Sequence, residues 1–301
     1  MALVLAVLAA AANALATVLQ RIGVEDAAGD RGAMSLVASV LRRPVWFLGL
    51  GLAAASFLLQ ATALSLGDLS VVQPMMVTEL LFLLVILSVW FHRALGWKEW
   101  LGAVGTATGL GVFLAMSNAG GGHARPTRTD WILLLVASGG ALLVSSIAAQ
   151  RGPRWWRAAA FGFAGGIAFA LTAAFVKTAA DQWSRGPVYV LSHFEAYGAA
   201  AAGLVGLVLS QHALEAGPVA ASQSALLVVN PLSSIVMGIW LFGDHLRASG
   251  LRLGLEAAGL AAMFLSLLVL AASPLVNADA QEDQLTRPRA IAHLEQQGCA
   301  G

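Results

Sequence analysis

The stretch Ala63-Leu64-Ser65-Leu66-Gly67 opens a segment that runs through Gln73-Pro74 to Trp90, and the chain then writes it again. Ala213-Leu214-Glu215-Ala216-Gly217 opens the second copy, with Gln223 and Trp240 at the matching offset of 150 residues. Self-similarity inside apolar sequence, with halves joined in opposite directions, is a common plan of small-solute carriers. What surrounds the repeat fits a membrane setting.

Hydrophobic residues make up 58% of the 301 positions and charged residues 11%, and mean hydropathy is +0.78. A soluble domain of this length needs far more charge to cover its surface. The charges cluster and leave nine apolar runs, at about 2–20, 45–66, 69–91, 98–117, 131–149, 157–179, 188–210, 218–242 and 251–272. Each is close to the ~20 residues that cross ~30 Å of hydrocarbon. Lipid offers no partner to the backbone, so the runs read as helices. The fold class expected is an all-α, polytopic membrane bundle of nine to ten helices in two inverted repeats. The repeats would cover 1–117 and 131–272, with a Gly-rich linker at 118–130 and a polar, disordered cytoplasmic tail at 273–301.

All nine tryptophans fall at run ends or in a loop, as expected of rings that prefer the headgroup level. Met1-Ala-Leu-Val resembles a signal-peptide core, but it lacks a basic leader and its apolar run continues to Gln20, so it reads as the first span. Arg42, Arg43, Arg93, Lys98, Arg151, Arg154 and Arg157 would fall on the side of the C-terminus, and this bias favours a cytoplasmic C-terminus. Net charge of +1 implies no nucleic-acid partner. The single cysteine, Cys299, offers neither a disulfide framework nor a thiol-metal site, and no cofactor is expected.

Repeat and span count constrain each other. The second, third and fourth spans pair with the seventh, eighth and ninth. Five spans apart, partners must face opposite ways. The first and fifth spans both end in Gln-Arg (Gln20-Arg21 and Gln150-Arg151). If that pair is inverted too, the short apolar segment at 31–44 must be a reduced, tenth crossing.

Ala-Leu-x-x-Gly followed by a polar-Pro helix, a basic turn and a Gly-rich helix resembles the drug/metabolite transporter superfamily, with its EamA-like and EmrE-like folds. Leu69-Ser70-Val71-Val72-Gln73-Pro74 and Ala220-Ala221-Ser222-Gln223 carry the likeness to actinobacterial members. The stretch from Arg43-Pro44-Val45-Trp46 through Val72-Gln73-Pro74 is also similar to the NIPA-type magnesium branch. The resemblance covers about 2–272. It implies secondary transport across a bacterial cell membrane by alternating access.

Glu79 is the sharpest single residue, in Val77-Thr78-Glu79-Leu80 near the middle of the third span. A carboxylate at that depth costs at least ~2–3 kcal/mol unless it is protonated, paired or hydrated. It reads either as a proton- or cation-exchanging group or as a packing carboxyl bonded to a neighbouring helix. Glu195 and His193 form a second candidate pair, expected about two turns inside the seventh span. Gln73-Pro74 and Asn230-Pro231 occupy matched helices, and each proline frees the carbonyl four residues earlier. Such breaks can expose backbone in a cavity or be simple repaired kinks. Gln223, Asn230 and Ser234 share one face of the eighth helix, and Asn13 is a weaker lining candidate. Gly105, Gly109, Gly162 and Gly166 fit close helix packing. Glu256 reads as a solvated end residue and Lys177 as a snorkelling one.

No GxSxG, Walker, HExxH or Cys/His pattern supports an enzyme. Three functions remain. One is a carrier of a small molecule or ion, monomeric or homodimeric, with Gln73, Pro74, Thr78, Glu79, Gln223, Asn230, Pro231 and Ser234 along its path. The second is a non-transporting membrane scaffold of the same fold. The third is a Mg²⁺ permease, which would need more oxygen ligands than Glu79 and Glu195 supply.

Overall fold

The computed structural model describes residues 1–28, 44–90, 96–116, 126–244 and 250–271. Among them nine spans are long and apolar enough to cross a membrane. The elements are α1 (Ala2–Ala28), α2 (Pro44–Leu66), α3 (Leu69–Met76), α4 (Glu79–Trp90), α5 (Trp97–Met116), α6 (Arg128–Ala148), α7 (Arg154–Asp181), α8 (Pro187–Leu191), α9 (Phe194–Ala216), α10 (Val219–Phe242) and α11 (Leu251–Ala271). A 3₁₀ turn at Trp183–Arg185 follows α7. The third span is thus two helices, α3 and α4. The seventh starts later than expected, because Pro187–Leu191 forms its own short helix.

Glycines decide how the helices pack. Small residues let backbones approach closely, which is the main route to helix association where lipid competes equally for apolar side chains. On α5, Gly102 faces Leu270, Gly105 faces Ser266, and Gly109 abuts the backbone of Gly259 and Met263 on α11. Contacts that climb α5 descend α11, so the two helices are antiparallel. The contact is also reciprocal. A Cβ on Gly259 would lie 2.8 Å from Gly109 O and 2.8 Å from Phe113 N. Gly109 and Gly259, like Phe113 and Met263, stand 150 residues apart.

The same reading gives the direction of the other pairs. Gly67 meets Ala2, the Ser56 hydroxyl donates to Ala9 O at 2.7 Å, and Gly49 meets Ala16 and Gln20, so α1 and α2 are antiparallel. Helix α7 is the most buried span. It runs parallel to α10, through Gly162 on Ser222 and Gly166 on Val229 and Asn230. It runs antiparallel to α9, through Phe175 on Gly198, Thr172 on Gly203 and Phe169 on Gly206. The close-packing role expected of Gly105, Gly109, Gly162 and Gly166 is what these contacts show.

Helix α1 packs on α2, α3 and α4, and α7 packs on α9 and α10. Each of α1 and α7 thus packs on an antiparallel neighbour, α2 and α9 respectively. The expected crossing at 31–44 falls, apart from Pro44, outside the described residues.

Three side chains correct the reading by composition. Trp131 is 5% exposed and stacks on Phe175 with ring centroids 4.5 Å apart, so it packs the core and does not mark the headgroup level. Glu256 is 2% exposed and Lys177 4%, so neither is solvated or snorkelling. Helix α6 begins at Arg128, three residues early, because Thr127 and Asp130 form a capping box: Thr127 N donates to Asp130 Oδ2 at 2.8 Å and Asp130 N to Thr127 Oγ1 at 3.3 Å.

The α5–α11 seam yields a direct test. Gly109→Val should destabilise the detergent-solubilised protein by about 1–3 kcal/mol through overpacking. Gly111→Val, at a position open to its surroundings, should leave the melting temperature unchanged. Equal effects of both substitutions in a thermal melt would contradict the seam.

Candidate functional site

The break in the third span builds the site. Pro74 has no N–H to offer Ser70 O, and past it the ladder shifts register. Val77 N donates to Pro74 O at 3.2 Å and Thr78 N to Met75 O at 3.0 Å, both one residue short of α-helical spacing. Leu80 N to Val77 O, at 3.1 Å, and Leu81 N to Thr78 O, at 2.9 Å, continue the tight turn, and Phe82 N to Thr78 O, at 3.1 Å, starts the next helix. The Thr78 hydroxyl also donates to Met75 O at 2.7 Å. Val77-Thr78 is thus a 3₁₀-like hinge between α3 and α4.

Glu79 is the first residue of α4. It stands ten residues along from Leu69, which is about 15 Å of rise and roughly half the hydrocarbon thickness. Leu80, Leu81 and Phe82 already donate to Val77 O and Thr78 O, so this helix start offers the carboxyl the local dipole of α4 and not a row of free N–H groups. Glu79 is half-buried. Asn13, on the facing α1, donates from Nδ2 to Glu79 Oε1 at 2.7 Å. Asn13 was only a weak candidate from sequence; the contact makes it the partner of the principal acid.

A second group of polar atoms follows the seam of α3 and α10. These helices touch, and Gly238 of α10 abuts Ser70 N of α3. Ser70 and Gln73 are buried on α3, and Ser234 is fully buried on α10. Ser70 Oγ, Gln73 Nε2, Asn230 Oδ1 and Ser234 Oγ are enclosed and have no hydrogen-bond partner. Each such group costs roughly 1–3 kcal/mol if left dry. Four of them lie on two touching helices, where water or another polar group would satisfy them. Gln223 is half-buried on α10, three turns of helix before Ser234.

Not every candidate gathers here. Pro231 lies inside an uninterrupted α10, so the expected matching break is absent and the hinge belongs to the first half alone. Glu195 lies in the first turn of α9, not two turns in, and accepts from Gln182 Nε2 at 3.2 Å. His193 Nδ1 lies 2.8 Å from Tyr189 O, and its ring stacks on Tyr189 with centroids 4.0 Å apart. This pair belongs to the α7–α9 connection at the membrane edge, apart from Glu79. Among the described residues no three His, Cys, Asp or Glu side chains are placed to hold a metal ion.

The chain is 26% identical over 253 residues to an uncharacterized protein of Corynebacterium glutamicum, covering 81% of this chain and 86% of that protein. No family model matches, and no solved structure matches.

The Asn13–Glu79 bond predicts a coupled pair. Asn13→Ala should destabilise the protein by about 0.5–2 kcal/mol, as measured for hydrogen bonds between membrane helices. The loss should shrink when Glu79→Gln is already present. A double-mutant cycle in a denaturation assay reads the coupling, and strict additivity would contradict the bond.

Proposed function

We propose that this chain is a secondary transporter of the drug/metabolite type that moves a small solute between two inverted halves. The halves are α1–α5 and α7–α11, with α6 as the added helix between them. The observations that carry the reading are a half-buried carboxyl at a helix break near mid-membrane and enclosed polar atoms without partners on α3 and the α10 that touches it. Discontinuous helices that present their ends to a solute are the recurrent device of such carriers. The antiparallel, reciprocal contact of Gly109 with Gly259 supports inverted halves, as does the matching environment of α1 and α7.

Glu79 is the coupling group, taking up a proton or a cation, and Asn13 orients it. Ser70, Gln73, Asn230 and Ser234 line the path, with Thr78 and Pro74 holding the hinge. A scaffold of the same fold would gain nothing from unpartnered polar atoms at its centre, so the transport reading is preferred. Magnesium permeation draws no support from a site with one central acid. The connections that join the ends of α1 and α4 to the next helices carry Arg31, Arg42, Arg43 and Arg93 in sequence. That face is therefore cytoplasmic, together with the end of α11.

The test begins with a thermal-shift screen of small metabolites, organic cations and amphiphiles against the purified protein, followed by uptake of the hits into proteoliposomes. Glu79→Gln should melt as the wild type does but lose coupled uptake. Wild-type uptake by that variant would remove Glu79 from the mechanism.

A further inference from the structure

A second buried polar constellation lies at one end of the bundle, away from Glu79. Helix α2 ends at Leu66 and α3 starts at Leu69, so Gly67-Asp68 is a two-residue corner. The last carbonyls of α2 have no donor within their own helix. Lys177, near the end of α7 and 4% exposed, supplies one: its Nζ donates to Leu64 O at 2.9 Å and to Gly67 O at 2.8 Å. The ammonium also lies 5.3 Å from the centroid of the Phe242 ring on α10. A cation at a helix C-terminus is favoured by the macrodipole, but here it comes from another helix. At the start of α3, Asp244, 1% exposed and just past α10, accepts from Ser70 N through Oδ2 at 3.0 Å. An anion thus meets the N-terminal end of α3 as a cation meets the C-terminal end of α2. Gly238 keeps the approach open, since a Cβ there would collide with Asp244 Oδ2 and lie 3.0 Å from Ser70 N.

All three bonds join one half to the other, and each ends on backbone. They differ in kind from the α5–α11 seam, where interlocked glycines leave no room to slide. Long polar reaches to backbone groups can be released by a small displacement. The corner they hold leads within three turns to the hinge at Val77-Thr78. Buried ions are costly to retain for stability alone, and their best-attested value is in specifying or switching an arrangement.

We propose that Lys177 and Asp244 form the latch that closes this face of the transporter, holding the α2–α3 corner against α7 and α10. This rests on the transport reading above, and the latched face is the one placed outside the cell. Release of these three bonds frees the corner and opens the Gln73–Ser234 seam to that side.

The test needs no substrate. In a Cys299→Ser background, Ser234→Cys is exposed to a membrane-impermeant maleimide from the outer face of spheroplasts or from the inner face of inverted vesicles. With the latch intact, labelling should come mainly from the inner face. Lys177→Met should raise outer-face labelling several-fold. In a second readout, spin labels at the exposed Leu66 and Trp183 positions should move apart and broaden in distance in Lys177→Met. If Lys177→Met does not yield monodisperse protein, Asp244→Asn should shift both readouts the same way. A folded variant with unchanged outer labelling and unchanged spin-label distance, while inner labelling persists, overturns the latch alone. Absence of labelling from either face in every variant overturns the transport reading and the latch with it.

Discussion

Backbone amides and carbonyls inside hydrocarbon have no water to turn to, and this constraint shapes the whole chain. Most described spans meet it with continuous helix. The third span departs from it at Val77-Thr78, where Pro74 removes a donor and the ladder tightens before restarting at Glu79. The departure restarts the helix near mid-membrane, and Glu79 is the residue on which it restarts. Asn13 then supplies a donor to the carboxyl from across the helix interface. A break, an acid and an amide make one unit, and the unpartnered atoms of Ser70, Gln73, Asn230 and Ser234 lie on α3 and the touching α10.

Around that unit the bundle is held by glycine-mediated approach more than by apolar side-chain bulk. Gly109 and Gly259 lock α5 to α11, while Gly162, Gly165 and Gly166 seat α7 against α9 and α10. Such seams resist sliding because a backbone cannot yield as a flexible side chain can. The polar contacts of Lys177 and Asp244 bridge the same two halves by reach instead. Rigid glycine seams thus stand beside one corner held by polar reach.

Much of this frame was legible in the sequence, and the failures have physical reasons. Apolar runs placed the spans because span length is fixed by bilayer thickness. Glycine spacing gave the close contacts because only glycine permits them. Glu79 stood out because a lone carboxylate at mid-membrane is costly enough to need a cause. Burial of Lys177, Glu256 and Trp131 was hidden, since each sits near a span end where sequence alone does not distinguish lipid headgroups from a neighbouring helix. Pro231 shows a different limit. A proline states which bond is lost, but tertiary packing decides whether the helix breaks, as at Pro74, or continues, as through α10.

The central claim is that the hinge opens a hydrated site at mid-membrane while the matched stretch of α10 stays closed. Backbone hydrogen–deuterium exchange in lipid nanodiscs measures this directly. The amides of residues 77–81 should exchange measurably faster than those of 227–232, which lie at the same depth in an unbroken helix. Equal, complete protection of both stretches would mean that no water reaches Glu79, and would contradict the account.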